Sequence, residues 1–150
     1  MRNLTLRQMA WLLPLMFVLH IVEEHTMEFT QWYSYFIGAD FSVSEYFAIN
    51  FIAFSILILF SALYSMGRGS DFVMWVINSV LFLNGVLHVL LSIIFFTYSP
   101  GVFTGLLILI PVGWVIYGKL RDELLDRQRF TGTVLGGAIL LMIAMIAYTI

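Results

Sequence analysis

The sequence predicts an all-α integral membrane protein, a bundle of five transmembrane helices with its N-terminus in the cytoplasm and its C-terminus outside. Three observations carry this expectation. The 150 residues are 61% hydrophobic and only 11% charged, with a mean hydropathy of +0.98, whereas soluble domains carry roughly 25% charge. Runs of about 20 mostly apolar residues, the length that crosses a hydrocarbon core, recur along the chain. All seven Lys and Arg residues fall at alternate ends of those runs.

The first run, residues 6–27, has a short unbroken apolar part, Met9 to Leu19, followed directly by His20-Ile-Val-Glu-Glu-His25. Arg2 and Arg7 imitate the start of a signal peptide, but no small-x-small cleavage site follows, so this run is expected to be a retained helix. Residues 28–44 are too polar to cross a bilayer. They are also too aromatic, with Trp32, Tyr33, Tyr35 and Phe36, to be a free linker. They are expected to lie along the outer interface, placed to act as a lid.

The second run, 46–66, is opened by Ser42 with Glu45 three residues later, a capping box, and closed by the turn Gly67-Arg-Gly-Ser-Asp71. The third run covers 72–97. Ser99-Pro100-Gly101-Val102 then has the chemistry of a type II turn. The fourth run, 102–118, contains Pro111, expected to kink it, and ends in a solvated charged stretch, Lys119 to Arg129, suited to anionic lipid. The fifth run, 130–150, carries Gly132-x-x-x-Gly136, a small-residue packing motif whose partner is either another helix of the chain or a second copy in a homo-oligomer. No internal repeat or low-complexity tract divides the chain, so residues 1–150 are expected to form one domain.

The basic residues Arg2, Arg7, Arg68, Lys119, Arg121, Arg127 and Arg129 mark one side as cytoplasmic. The other side has acidic Glu28, Asp40 and Glu45 and a belt that includes Tyr98. The expected setting is a bacterial cytoplasmic membrane, with membrane lipid as the surrounding partner. A net charge of -2 and the lack of aromatics interleaved with Arg or Lys exclude nucleic acid. Without cysteine there are no disulfides, thiolate metal sites or cysteine nucleophiles.

Titratable groups inside a membrane helix are costly and usually face the bundle interior, where they mark a functional site. At about 100° per residue, His20, Glu23 and Glu24 share one helix face and His25 points elsewhere. On the third run Asn84, His88 and Ser92 are spaced by four, and Asn50 lies about one turn inside the second. At about 1.5 Å per residue, His20 is about 20 Å from Arg7, His88 about 25 Å from Asp71, and Asn50 about 7 Å from Glu45. All three fall in the outer half, which predicts one shared site.

Two imidazoles and two carboxylates offer the nitrogen and oxygen donors that Zn²⁺ or non-haem iron accepts. His20, Glu24 and His88 are the expected metal ligands, with zinc preferred to iron. Glu23 is placed to act on a metal-bound water as acid/base, as the glutamate does in His-x-x-Glu-His hydrolases, with Glu24 standing where that motif has its second histidine. Asn50 and Asn84 are expected to support the histidines, and Tyr98 is a further candidate contact. A bis-histidine haem leaves the carboxylates unexplained.

His20-Ile-Val-Glu-Glu24, His88 and Tyr98-Ser-Pro-Gly101 together resemble the HXXEE-domain membrane proteins, over roughly residues 10–118. That family is of unknown function, so the resemblance implies that His20, Glu23, Glu24 and His88 matter together and implies no reaction. From the residues, the leading expectation is a metal-dependent membrane enzyme, hydrolase-like, acting on a lipid-like or amphiphilic small molecule near the outer leaflet. The rivals are a small proton-coupled transporter using Glu23 and His88, and a non-catalytic assembly protein whose polar cluster only fixes packing.

Overall fold

The structure, a computed structural model, describes residues 4–149 and is helical, with no strand among the described residues. Arg2 and Ile150, used above for orientation and for the last span, lie outside them. The first span consists of α1 (Leu6–Met9) and α2 (Leu12–Thr26), followed by the short α3 (Phe29–Ile37). Next come α4 (Val43–Ser65) and α5 (Asp71–Ile94). The fourth span starts as α6 (Val102–Thr104), passes through a π-helical turn at Gly105–Leu109 into α7 (Ile110–Leu120), and ends in a 3₁₀ turn at Arg121–Glu123. The last element is α8 (Asp126–Thr149). Five helices, Leu6–Thr26, Val43–Ser65, Asp71–Ile94, Val102–Glu123 and Asp126–Thr149, are long and apolar enough to cross a membrane.

The first span breaks where its sequence removes a hydrogen bond. Pro14 has no N–H for the Ala10 carbonyl four residues earlier, which accepts instead from Leu13 N at 3.3 Å and from Ser61 Oγ of α4 at 2.7 Å. The Ser61 bond ties the break to α4 in the core, where an unpaired carbonyl would be costly. The expected capping box at Ser42 is present, with Glu45 N donating to Ser42 Oγ at 3.2 Å and Glu45 Oε2 accepting from Ser42 N at 2.9 Å.

α5 is the central strut, packed against α7, the π turn and α8. Gly85 and Gly105 let α5 and the fourth span approach backbone to backbone. A Cβ on Gly85 would stand 3.1 Å from Gly105 O, and one on Gly105 3.1 Å from Gly85 Cα. His88 lies one turn beyond Gly85, so this crossing brings its ring to the start of α6.

Gly132 and Gly136 play the same part between α8 and α5. A Cβ on Gly136 would lie 2.5 Å from Ser79 Cβ, and one on Gly132 2.8 Å from Trp75 Cδ1. The small-residue motif therefore has its partner within the chain, and the homo-oligomer drawn from it loses its basis. Outward positions such as Phe51 and Leu141, 72% and 67% exposed, leave the flanks of α4 and α8 apolar.

The basic ends gather at one end of the bundle. Lys119 Nζ donates to Leu4 O at 2.8 Å, Arg129 Nη1 donates to Arg121 O at 2.9 Å, and Arg7 lies against Gly67. The opposite end holds α3 and residues 95–101.

Candidate metal centre

α2 presents His20 and Glu24 one turn apart, and α5 presents His88. All three are buried, at 1%, 6% and 3% exposure, in a bundle filled mostly by apolar side chains. Glu24 Oε1 lies 3.4 Å from His20 Nε2 and 3.2 Å from His88 Nε2. The two rings meet edge to face with centroids 4.9 Å apart. Glu24 Oε2 accepts the Tyr46 hydroxyl at 3.0 Å, and that hydroxyl also lies 3.2 Å from Ile21 O. The donor atoms of His20, Glu24 and His88 lie within 4.8 Å of one another, so this group could hold a metal ion.

The far side of each imidazole is held by the turn between α5 and α6. His20 Nδ1 is 2.8 Å from Thr104 Oγ1, and His88 Nδ1 is 3.1 Å from Ser99 Oγ. That turn is the type II turn expected at Ser99-Pro100-Gly101-Val102: Gly101 has φ 100° and ψ -8°, and Val102 N donates to Ser99 O at 3.0 Å. Only glycine suits Gly101. A Cβ there would come within 2.6 Å of His20 Cε1 and 3.0 Å of His88 Cε1, on a backbone that L side chains rarely adopt. Ser92, one turn above His88, accepts from Ser99 N at 3.0 Å and secures the turn to α5.

The polar side chains singled out from the sequence divide sharply. Asn84 reaches the cluster, with Nδ2 2.9 Å from His20 Nε2. Asn50 does not support a histidine, because its Nδ2 turns back to Tyr46 O on its own helix at 2.9 Å. His25 lies on another face, against Phe47. Glu23, expected beside a metal-bound water, instead faces the start of the fourth span. Its Oε1 accepts from Tyr98 Oη at 2.5 Å, Phe103 N at 3.0 Å and Gly101 N at 3.2 Å, and its Oε2 accepts from Thr104 N at 2.6 Å. A carboxylate offers about four acceptor positions, about two on each oxygen; three donors crowd Oε1, and Oε2 takes one. Burial, together with the bond to Glu23, holds the Tyr98 phenol above its ordinary range, so Tyr98 stays a donor.

Three contributors escaped sequence reasoning: Tyr46, Ser99 and Thr104. Ser99 sits inside the Tyr-x-Pro-Gly motif and Tyr46 one turn before Asn50 on the same face. Those were the only signals, and nothing marked Thr104.

The fold and site together define a protein of membrane-spanning dimensions with a buried group of two histidines and one glutamate, backed by a glycine turn. Within that class, the chain belongs to the family described as "Protein of unknown function with HXXEE motif", whose family model matches residues 11–116. The matched region runs from the start of α2 nearly to the end of α7 and contains every residue of the cluster. Comparison with curated proteins and with solved structures gives no match.

Proposed function

We propose that this chain is a membrane-embedded metalloprotein, holding a divalent ion, zinc in preference to iron, on His20 Nε2, Glu24 Oε1 and His88 Nε2. One observation carries the reading. The Thr104 hydroxyl donates to Gly101 O at 3.3 Å, so it accepts from His20 Nδ1–H, and His20 Nε2 turns its lone pair into the cluster, 2.9 Å from Asn84 Nδ2 and 3.4 Å from a carboxylate oxygen. Both Nε2 atoms and the Glu24 oxygen thus converge on one small buried space, as the ligands of a single ion do. The spacing suits an ion: at metal–ligand distances of about 2.0–2.2 Å, tetrahedral donors stand about 3.3–3.6 Å apart. The two separations from Glu24 Oε1, 3.4 and 3.2 Å, lie within and just under that range. A hydrogen-bond acceptor on the Nδ1 side is the usual means of aiming Nε2 at a metal, and for His20 the Thr104 hydroxyl stands there.

With three protein ligands an ion keeps a position open to water or substrate, and it would supply a nucleophilic hydroxide and a Lewis acid for hydrolysis. The chain's own groups set the surroundings. Tyr46 holds the outer oxygen of Glu24, and Asn84, whose Nδ2 stands 2.9 Å from His20 Nε2, would turn aside for an ion on that nitrogen. α3 covers the site, with the Phe29 ring tilted against both His88 and Tyr46, centroids 5.9 Å apart in each pair. An aromatic cover over a polar centre between apolar flanks favours an amphiphilic substrate. The distribution of Lys and Arg supports placing this end at the outer leaflet.

A second reading has its own support. Among the described residues the buried side-chain polar atoms without a partner are Trp32 Nε1 and Asn78 Oδ1, neither in the cluster. With Ser99 donating to His88 Nδ1 and His88 Nε2–H donating to Glu24, the group closes as a metal-free network that locks α2 to α5. Cobalt titration of the detergent-solubilised protein separates the two. The metalloprotein reading requires visible d–d absorption saturating near one equivalent and absent from His88→Ala. No absorption at any cobalt concentration, with native helix content, would leave the structural network as the function of the cluster.

A further inference from the structure

The two glutamates of the motif are adjacent in sequence and opposite in employment. Glu24 faces the imidazole Nε2 atoms, whereas Glu23 is spent on residues 98–104. We propose that Glu23 is a positioning residue: its carboxylate clamps the start of the fourth span and, through Thr104, fixes which nitrogen of His20 carries the proton.

The chain of contacts is short. The first N–H groups of a helix have no partner within it, and a carboxylate there meets both open donors and the positive end of the helix dipole. The fourth span, continuous from Val102 to Glu123, begins with Gly101 as its cap, and Gly101 has no side chain with which to cap it. Glu23 supplies that cap from another helix, taking Gly101, Phe103 and Thr104 N–H. Thr104 contributes both its N–H, 2.6 Å from Glu23 Oε2, and its hydroxyl, 2.8 Å from His20 Nδ1. Anchoring the backbone of Thr104 therefore sets the position of its hydroxyl. The same anchor seats Gly101 against the Cε1 edges of both rings. Tyr98 completes the clamp from the other side of the turn, at 2.5 Å.

Without the clamp, Thr104 drifts from Nδ1, and His20 gains by carrying its proton on Nε2, where Glu24 waits at 3.4 Å and the Asn84 amide, at 2.9 Å, can turn to present its oxygen. The clamp thus keeps the Nε2 lone pair turned into the cluster, where Asn84 Nδ2 stands 2.9 Å away. This inference holds for either arrangement of His88 and does not depend on a metal being bound.

The test is ¹⁵N NMR of histidine-labelled protein in detergent, kept metal-free with chelator. The wild type is expected to show His20 as the Nδ1–H tautomer. Glu23→Ala should move His20 toward the Nε2–H pattern while His25, on another face, is unchanged. Glu23→Gln, which keeps acceptor oxygen for the backbone N–H groups, should restore much of the wild-type signal. Thr104→Val, nearly isosteric, should move His20 alone and leave His88 in place, so it supplies the answer if Glu23→Ala does not fold. An Nε2–H His20 in the wild type, or an unmoved His20 signal in Glu23→Ala or in Thr104→Val with native helix content, overturns the proposal. A wild-type His20 that is Nδ1–H in a protein that binds no cobalt would reject the metal reading and leave this one standing.

Discussion

Replacing Gly101 by alanine probes the seat of the two imidazoles directly. At φ 100° an L residue is strained, which costs about 1–3 kcal/mol. The new Cβ would also stand 2.6 Å from His20 Cε1 and 3.0 Å from His88 Cε1, where carbon pairs prefer about 3.5–4.0 Å. Both rings are buried and hydrogen-bonded on their far sides, so neither can retreat freely, and overpacking of that kind adds about 1–3 kcal/mol. The expected loss is about 2–6 kcal/mol. Gly38 provides the control: it has φ 80° with nothing within 4 Å of its Cβ position, so Gly38→Ala should cost only the backbone part, about 1–2 kcal/mol. Equilibrium unfolding in mixed detergent micelles measures both variants. Equal losses, or a loss below about 1 kcal/mol for Gly101→Ala, would mean that the turn is not seated between the rings.

Tyr46→Phe removes the donor to Glu24 Oε2 and should lower cobalt affinity about 10–100-fold, the range typical of groups that orient a ligand; an unchanged binding isotherm would remove Tyr46 from the site. Gly136→Val forces a side chain into Ser79 and the backbone of α5 and should destabilise the fold by about 1–3 kcal/mol. Light scattering should show no change in oligomeric state, and loss of a dimer would instead restore an intermolecular role for the motif. His25→Ala, on an exposed position of α2, should stay within about 0.5 kcal/mol of wild type and keep full cobalt binding. Glu24→Ala leaves two imidazoles and the Tyr46 hydroxyl facing a hole, and a loss of about 3–5 kcal/mol together with all cobalt binding is expected. Unfolding curves and the cobalt spectrum report the two effects separately.

The helices were legible because a span of about 20 apolar residues leaves little freedom in its assignment. Their ends were less so. Apolar character continues through Phe95 and Phe96, yet α5 stops at Ile94, and Phe96 takes a positive φ of 51° that hydropathy does not register. The reverse holds at Lys119, where the charge run ends the apolar stretch while the helical backbone continues to Glu123. In the site, His20 with Glu24 follows from i, i+4 spacing, and the Asn84, His88 and Ser92 stripe follows from the same period. All three stripe residues are used, by His20, Glu24 and Ser99 respectively.

What the sequence hid were the contacts set by a turn rather than by a period. Thr104 and Ser99 reach the imidazoles only because Gly85 and Gly105 bring two spans together. Glu23 and Glu24 differ by one residue, or about 100° of helix, and that rotation sends one to a helix N-terminus and the other to the rings. Asn50 misled because an amide one turn below a helix start can satisfy itself on the carbonyl four residues back.

The central claim is that His20, Glu24 and His88 bind one metal ion, and elemental analysis tests it most directly. Protein purified in detergent without chelator would be measured by plasma mass spectrometry beside a folded His20→Ala, His88→Ala double variant. Near-stoichiometric zinc or iron in the first and none in the second is the predicted result. Metal absent from both, even after reconstitution with zinc and with ferrous iron, would contradict it.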